Sequence, residues 1–222
     1  MLTCAACVPP TPPPVRLPPA APQREAARDE IARPISQAYT GDLAIFEDPA
    51  RDRNLQIDRV MDILRVREGS SVADIGAGSG WFTVRAARRV GASGQVFAVE
   101  INSEYIEYTK RRADNEGLQN IRTVLGRPND PLLSRQSVDA VMILKTYHEI
   151  EGPVVLLRRV RESLKPGGRL GIIDRNGTGG DHGIKRDDVV QEAARAGFRL
   201  VEEHDFVKPD KEDYYLVFES AG

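Results

Sequence analysis

Short apolar runs alternate with amphipathic stretches along most of this 222-residue chain. That alternation restricts the fold more than any single residue does. Ser71–Ile75, Gln95–Glu100, Ile121–Leu125, Val138–Leu144 and Arg169–Asp174 read as strands. Trp81–Val90, the stretch from Asn102 or Ser103 to Asn115, Val154–Leu164 and Lys185–Ala196 read as helices, as does Arg53–Leu64 ahead of them. Strands that alternate with helices build a mostly parallel sheet with both faces covered. Two last runs, Phe198–Glu203 and Tyr214–Glu219, leave no room for a crossover helix, so they are expected to pair antiparallel.

Residues 1–30 differ in character. Pro9, Pro10, Pro12, Pro13, Pro14, Pro18, Pro19 and Pro22 remove backbone donors and fix φ, so this stretch reads as a proline-rich disordered tail or leader. Residues 31–222 then form one domain. Cys4 and Cys7, both in the leader, are the only cysteines, which excludes a disulfide framework in the body. A redox Cys-x-x-Cys motif needs a helix behind it, and a proline run follows instead. No apolar stretch is long enough to span a membrane. The expected location is cytoplasmic; the alternative is an exported lipoprotein, if the first residues are the end of a truncated signal. With 31 basic and 33 acidic residues of mixed distribution, the net charge of -2 argues against a nucleic-acid partner.

The residues between the first strand and the first long helix carry chemistry. Asp74-Ile75-Gly76-Ala77-Gly78-Ser79-Gly80 forms a bend without side chains at alternate positions, which lets backbone approach a ligand closely. The helix behind it presents free N–H groups. Glu100 ends the second strand, where an acid in a doubly wound sheet accepts hydrogen bonds from ribose hydroxyls. Together these point to a nucleoside cofactor. The spacing is not that of a dinucleotide site, because Trp81 stands where the third fingerprint glycine belongs. Asp74 would repel a pyrophosphate but suits an ammonium group.

This pattern, the segment from Asp139 to His148 and the Leu164-Lys165-Pro166-Gly167-Gly168 turn resemble class I S-adenosylmethionine (SAM)-dependent methyltransferases, specifically the small-molecule, quinone-biosynthesis-like branch. The resemblance runs from about Asn54 to Glu219. It implies an α/β, Rossmann-like seven-stranded, mostly parallel sheet with helices on both faces and one antiparallel strand near the C-terminus. It implies SAM as cofactor, with Asp74, Gly76, Ala77 and Gly78 holding the methionine part. Glu100 would bind the ribose, Ile101 would pack on adenine, and Asp130 or Asn129 would stand in for the acid that touches the adenine amine. In Val141-Met142-Ile143-Leu144-Lys145-Thr146-Tyr147-His148-Glu149, Lys145 would sit beside the cofactor near the methyl group. Lys145, Tyr147 and His148 are the catalytic candidates, His148 as general base because imidazole titrates near neutrality; its alternative role is to cap the strand-helix loop.

Tyr39, Phe46, Arg51 and Arg53 precede the core and are candidates for acceptor binding, or else a solvated surface. His182 falls in a glycine-rich loop that reads as a lid or a long turn, and His204 reads as a surface residue. Histidines this scattered predict no metal site. The expected function is methyl transfer from SAM to a small-molecule acceptor. The alternatives are a non-catalytic SAM-binding protein and a nicotinamide-dependent oxidoreductase.

Overall fold

The computed structural model describes residues 33–222; the leader expected over 1–30, with both cysteines, lies outside them. Seven strands form one sheet: β1 (Ser71–Ile75), β2 (Gln95–Glu100), β3 (Ile121–Leu125), β4 (Val138–Leu144), β5 (Leu164–Arg175), β6 (Phe198–His204) and β7 (Asp213–Ser220). Their order is β3-β2-β1-β4-β5-β7-β6. β7 runs antiparallel to both of its neighbours, and the other pairings are parallel. The expected α/β architecture with one antiparallel strand is therefore present. The chain reverses its direction of travel across the sheet between β1 and β4, and a crevice opens beyond the carboxyl ends of strands at such a switch point.

Alternation along the strands divides the core in two, because successive side chains point to opposite faces. Ala73, Val141, Ile143, Leu170 and Ile172 face one side, packing with Val154, Leu157 and Val160 of α5 (Pro153–Ser163) and Val189 and Ala193 of α6 (Arg186–Arg195). Val72, Val96, Ala140 and Met142 face the other, against α2 (Ile57–Ile63) and α3 (Trp81–Val90) through Val60, Met61, Phe82 and Ala86. Each fully buried Val, Leu or Phe contributes about 1.5–3 kcal/mol. α4 (Ser103–Asn115) follows β2; its N-cap Asn102 accepts from the Glu104 N–H at 2.9 Å.

Two local expectations need correction. Arg53–Leu64 is not one helix. α1 (Arg51–Leu55) and α2 meet at Gln56, which adopts φ 49°. Residues two apart in an unbroken helix point about 200° apart; the left-handed residue re-aims the chain so that Leu55 and Ile57 are both buried. Lys165-Pro166-Gly167-Gly168 does not precede the fifth strand but lies within it. Pairing with β4 begins at Val138–Leu164, skips, and resumes at Ala140–Arg169. Gly167, at φ 77°, takes up this irregularity.

Candidate functional site

The glycine bend rests on the tip of β2. Gly76 and Ala77 N–H groups both donate to the Val99 carbonyl, at 2.9 and 3.1 Å. Gly76, Gly78 and Gly80 all have positive φ. A Cβ on Gly76 would lie 2.8 Å from the Thr146 Cβ, whereas one on Gly78 would meet only the Gly76 carbonyl, at 4.0 Å. The first glycine is thus required by the protein's own packing, and the second leaves a cradle.

Glu100 reaches across to this bend. Its Oε2 accepts from the Gly78 N–H at 3.1 Å, while Oε1 accepts from Ile101 and Asn102 at 2.7 and 3.2 Å. Asp74 lies beneath, almost fully buried, with the Thr83 hydroxyl donating to its Oδ2 at 2.6 Å. Burial pushes the Asp74 carboxyl up to about 6, against the pull of the Thr83 hydrogen bond and the Arg51 charge.

These residues line a cavity of about 640 Å³, within the usual size of a small-molecule site. Asp74, Gly76, Ala77, Gly78, Glu100, Ile101 and Lys145 all face it. So do Tyr39, Phe46 and Arg51 of the N-terminal segment, whereas Arg53 lines a separate outer cleft. That segment is tied down along its length. Ser36 N–H donates to the His148 carbonyl at 3.1 Å, and its hydroxyl to the Gly179 carbonyl at 2.8 Å. The Tyr105 hydroxyl of α4 donates to the Tyr39 carbonyl at 3.0 Å.

Arg51 was not expected to be so enclosed. Its guanidinium lies 4.3 Å from the centre of the Trp81 ring and makes no ion pair among the described residues. Burial brings it down to about 10, although Asp74 and Glu47 favour its charge. Trp81 also lines the cavity, and its buried Nε1 has no hydrogen-bond partner.

The structure separates the remaining candidates. Asp130 does not line the cavity; its Oδ1 accepts from the Leu132 N–H at 2.9 Å within its own loop. Arg127, Pro128 and Pro131 face the cavity there instead. Tyr147 is fully buried away from it, its hydroxyl donating to Glu192 Oε2 at 2.7 Å. Burial, reinforced by that carboxylate, holds the phenol well above its ordinary range. A group so placed packs the α5–α6 side of the sheet and does not line the cavity. Lys145 reaches the cavity wall, but its ammonium is ion-paired with the buried Asp213 carboxylate.

His148 sits just behind the wall. Its N–H donates to Asp174 Oδ2 at 3.0 Å, and its Nδ1 lies 2.9 Å from Asp174 Oδ1. The cavity-facing group is its neighbour Glu149, to which the sequence assigned no role. Burial raises the Glu149 carboxyl to about 7, with His148 opposing. His182, expected to stand alone, brings its ring to 5.8 Å from that of His148. His204 is not a plain surface residue; it is half-buried between Phe206 and Tyr215.

A parallel sheet with a cavity at its switch point, a Cβ-free bend and an acid at the adjacent strand tip define a nucleoside-cofactor-binding α/β protein. The methyltransferase-domain family matches residues 67–222, and the chain belongs to that family, within the SAM-dependent methyltransferase superfamily. It is 31% identical over 111 residues to a protein-L-isoaspartate O-methyltransferase of Pyrococcus horikoshii, covering 50% of this chain and 47% of the relative. It is 30% identical over 115 residues to the ubiquinone/menaquinone biosynthesis C-methyltransferase UbiE of Haemophilus ducreyi, covering 51% and 44%. The chain thus spans about half the length of the curated relatives it matches. In fold it is similar to a SAM-dependent methyltransferase from Aquifex aeolicus, with a TM-score of 0.73 at 23% identity, covering 81% of this chain and 98% of that one. Among the described residues, no helix is long and apolar enough to cross a membrane.

Proposed function

We propose that the protein transfers a methyl group from SAM to a small-molecule acceptor. One observation carries the reading: Glu100 and the Gly76–Gly80 bend, separate in sequence, are joined by a 3.1 Å hydrogen bond on the wall of one cavity. The residues present fit the cofactor. The Gly78 cradle would fill if a side chain were added, Glu100 offers carboxylate oxygens to ribose hydroxyls, and Ile101 offers an exposed apolar surface for adenine. Asp74 is placed for an ammonium group. Arg51 and the unpartnered Trp81 Nε1 supply a cation and a donor suited to the methionine carboxylate.

When bound, SAM supplies a methyl group already activated on a sulfonium. The chain's task is then alignment and exclusion of water. Gly76, Gly78 and Glu100 hold one end. The segment lined by Tyr39 and Phe46 closes the other, because its ties to His148, Gly179 and Tyr105 span both sides of the cavity.

The curated relatives, by their names, methylate acceptors as different as protein isoaspartyl groups, quinone precursors and nocamycin. The shared methyltransferase stretch therefore does not select an acceptor. The N-terminal strap supports a small one, since a polypeptide would need an open groove. Incubating the full chain with methyl-labelled SAM and a cell extract tests this. Label is expected in the small-molecule fraction; label confined to protein or nucleic acid would overturn it.

A further inference from the structure

One cluster beside the cavity is not used by this reading. Ligand atoms of His148, Glu149 and His182 all lie within 4.8 Å of one another. They come from two different elements: His148 and Glu149 from the turn after β4, His182 from the loop after β5. His148 Nε2 is 3.8 Å from Glu149 Oε1. The His182 loop is held in place from the strap, as the His182 N–H donates to the Ser36 hydroxyl at 2.9 Å.

Asp174 supplies the second, independent observation. It is fully buried and accepts from His148 Nδ1 at 2.9 Å, from the His148 backbone at 3.0 Å and from Arg175 N–H at 2.8 Å. A carboxylate only accepts, so Nδ1 is the nitrogen that donates to Asp174, and Nε2 is the nitrogen left to bind an ion. A carboxylate behind one ring nitrogen, with the other nitrogen free toward a second carboxylate, is the arrangement that orients metal-bound histidines.

We infer that His148 Nε2, the Glu149 carboxylate and His182 form a site for one divalent transition-metal ion at the cavity wall. Two imidazoles and one carboxylate favour ions of the Zn²⁺ or Fe²⁺ class over Mg²⁺ or Ca²⁺, which prefer oxygen ligands throughout. Three protein ligands leave coordination positions open. Metal–ligand bonds of about 2.0–2.2 Å require the cluster to contract, and His182, the one exposed member, is the side chain with space to rotate inward from its fixed backbone. Glu149 faces the cavity, so the open positions adjoin the acceptor space. Resting on the methyltransferase reading, the ion selects acceptors with an oxygen that can ligate it, such as a hydroxyl or carboxylate beside the methylated atom.

The test uses the full chain without a histidine tag, with Cys4→Ser and Cys7→Ser to remove its two thiols. Co²⁺ titration followed by visible d–d absorption, and Zn²⁺ equilibrium dialysis, should each give one ion per chain. His182→Ala should weaken binding by more than about 100-fold, and Asp174→Asn by about 10–100-fold, the usual cost of losing a histidine-orienting partner. Circular dichroism and SAM titration of His182→Ala show that the fold and the cofactor site persist. Absence of stoichiometric ion, or His182→Ala binding as tightly as its parent, overturns the site. A protein that binds SAM but takes up no ion refutes the metal site alone; one that takes up the ion but does not bind SAM refutes the methyltransferase reading alone.

Discussion

Gly76 and Gly78 stand two residues apart in one bend, and alanine at each should fail for a different reason. Both have positive φ, 73° and 51°, so each substitution incurs a left-handed backbone cost of about 1–2 kcal/mol. At Gly76 the new methyl also meets Thr146, with the Cβ atoms 2.8 Å apart. Rotating the Thr146 side chain does not move its Cβ, so the backbone must shift, which adds about 2 kcal/mol of overpacking. At Gly78 the nearest atom outside the chain neighbours is 4.0 Å away, and the methyl enters the cavity. Gly76→Ala should therefore melt about 4–8 °C below Gly78→Ala, at about 2–4 °C per kcal/mol for a domain of this size. Gly78→Ala should lose only the backbone cost in stability but bind SAM about tenfold or more weakly, since its methyl competes with the ligand for space. Thermal denaturation and calorimetric SAM titration of the pair measure both effects. Equal melting temperatures, or unimpaired SAM binding by Gly78→Ala, would refute the division of roles.

Other measurements bear on the remaining residues. SAM affinity should depend on pH through Asp74, whose carboxyl is raised to about 6. The ionised form attracts the ammonium, so affinity should fall toward tenfold per unit as pH drops below about 6 and level off above it; a flat profile between about pH 5 and pH 8 counts against contact. Glu100→Ala should cost about 1.5–3 kcal/mol of SAM binding through lost charged hydrogen bonds, and unchanged calorimetric affinity would remove its ribose role. Tyr147→Phe should cost about 1–3 kcal/mol in urea unfolding, by depriving buried Glu192 of a donor, yet leave turnover of bound substrate intact; a collapse in kcat with normal stability would restore Tyr147 as a catalytic residue.

Elements and the bend that lines the cavity were legible because their signals are local. A period of two or of about 3.6 follows from the geometry of adjacent residues, and a glycine bend between a strand and a helix carries its meaning with it. Asp74, Gly76, Gly78 and Glu100 could thus be placed on one wall from their positions at consecutive strand ends. The turn after β4 was not legible in the same way. Tyr147, His148 and Glu149 are consecutive, yet one faces α6, one faces Asp174 and one faces the cavity.

The sequence by itself determined the succession of strands and helices along the chain and the Cβ-free bend, since each depends on residues a few positions apart, and it put Glu100 at the end of the next strand. Only tertiary structure decided that Lys145 is neutralised by Asp213, that Arg51 turns inward over Trp81, and that His182 meets His148. Those pairings join segments distant in the chain. They exist because β5 lies beside β4 and β7 and because the N-terminal strap folds back over the strand ends, and no periodicity within one segment encodes its neighbour.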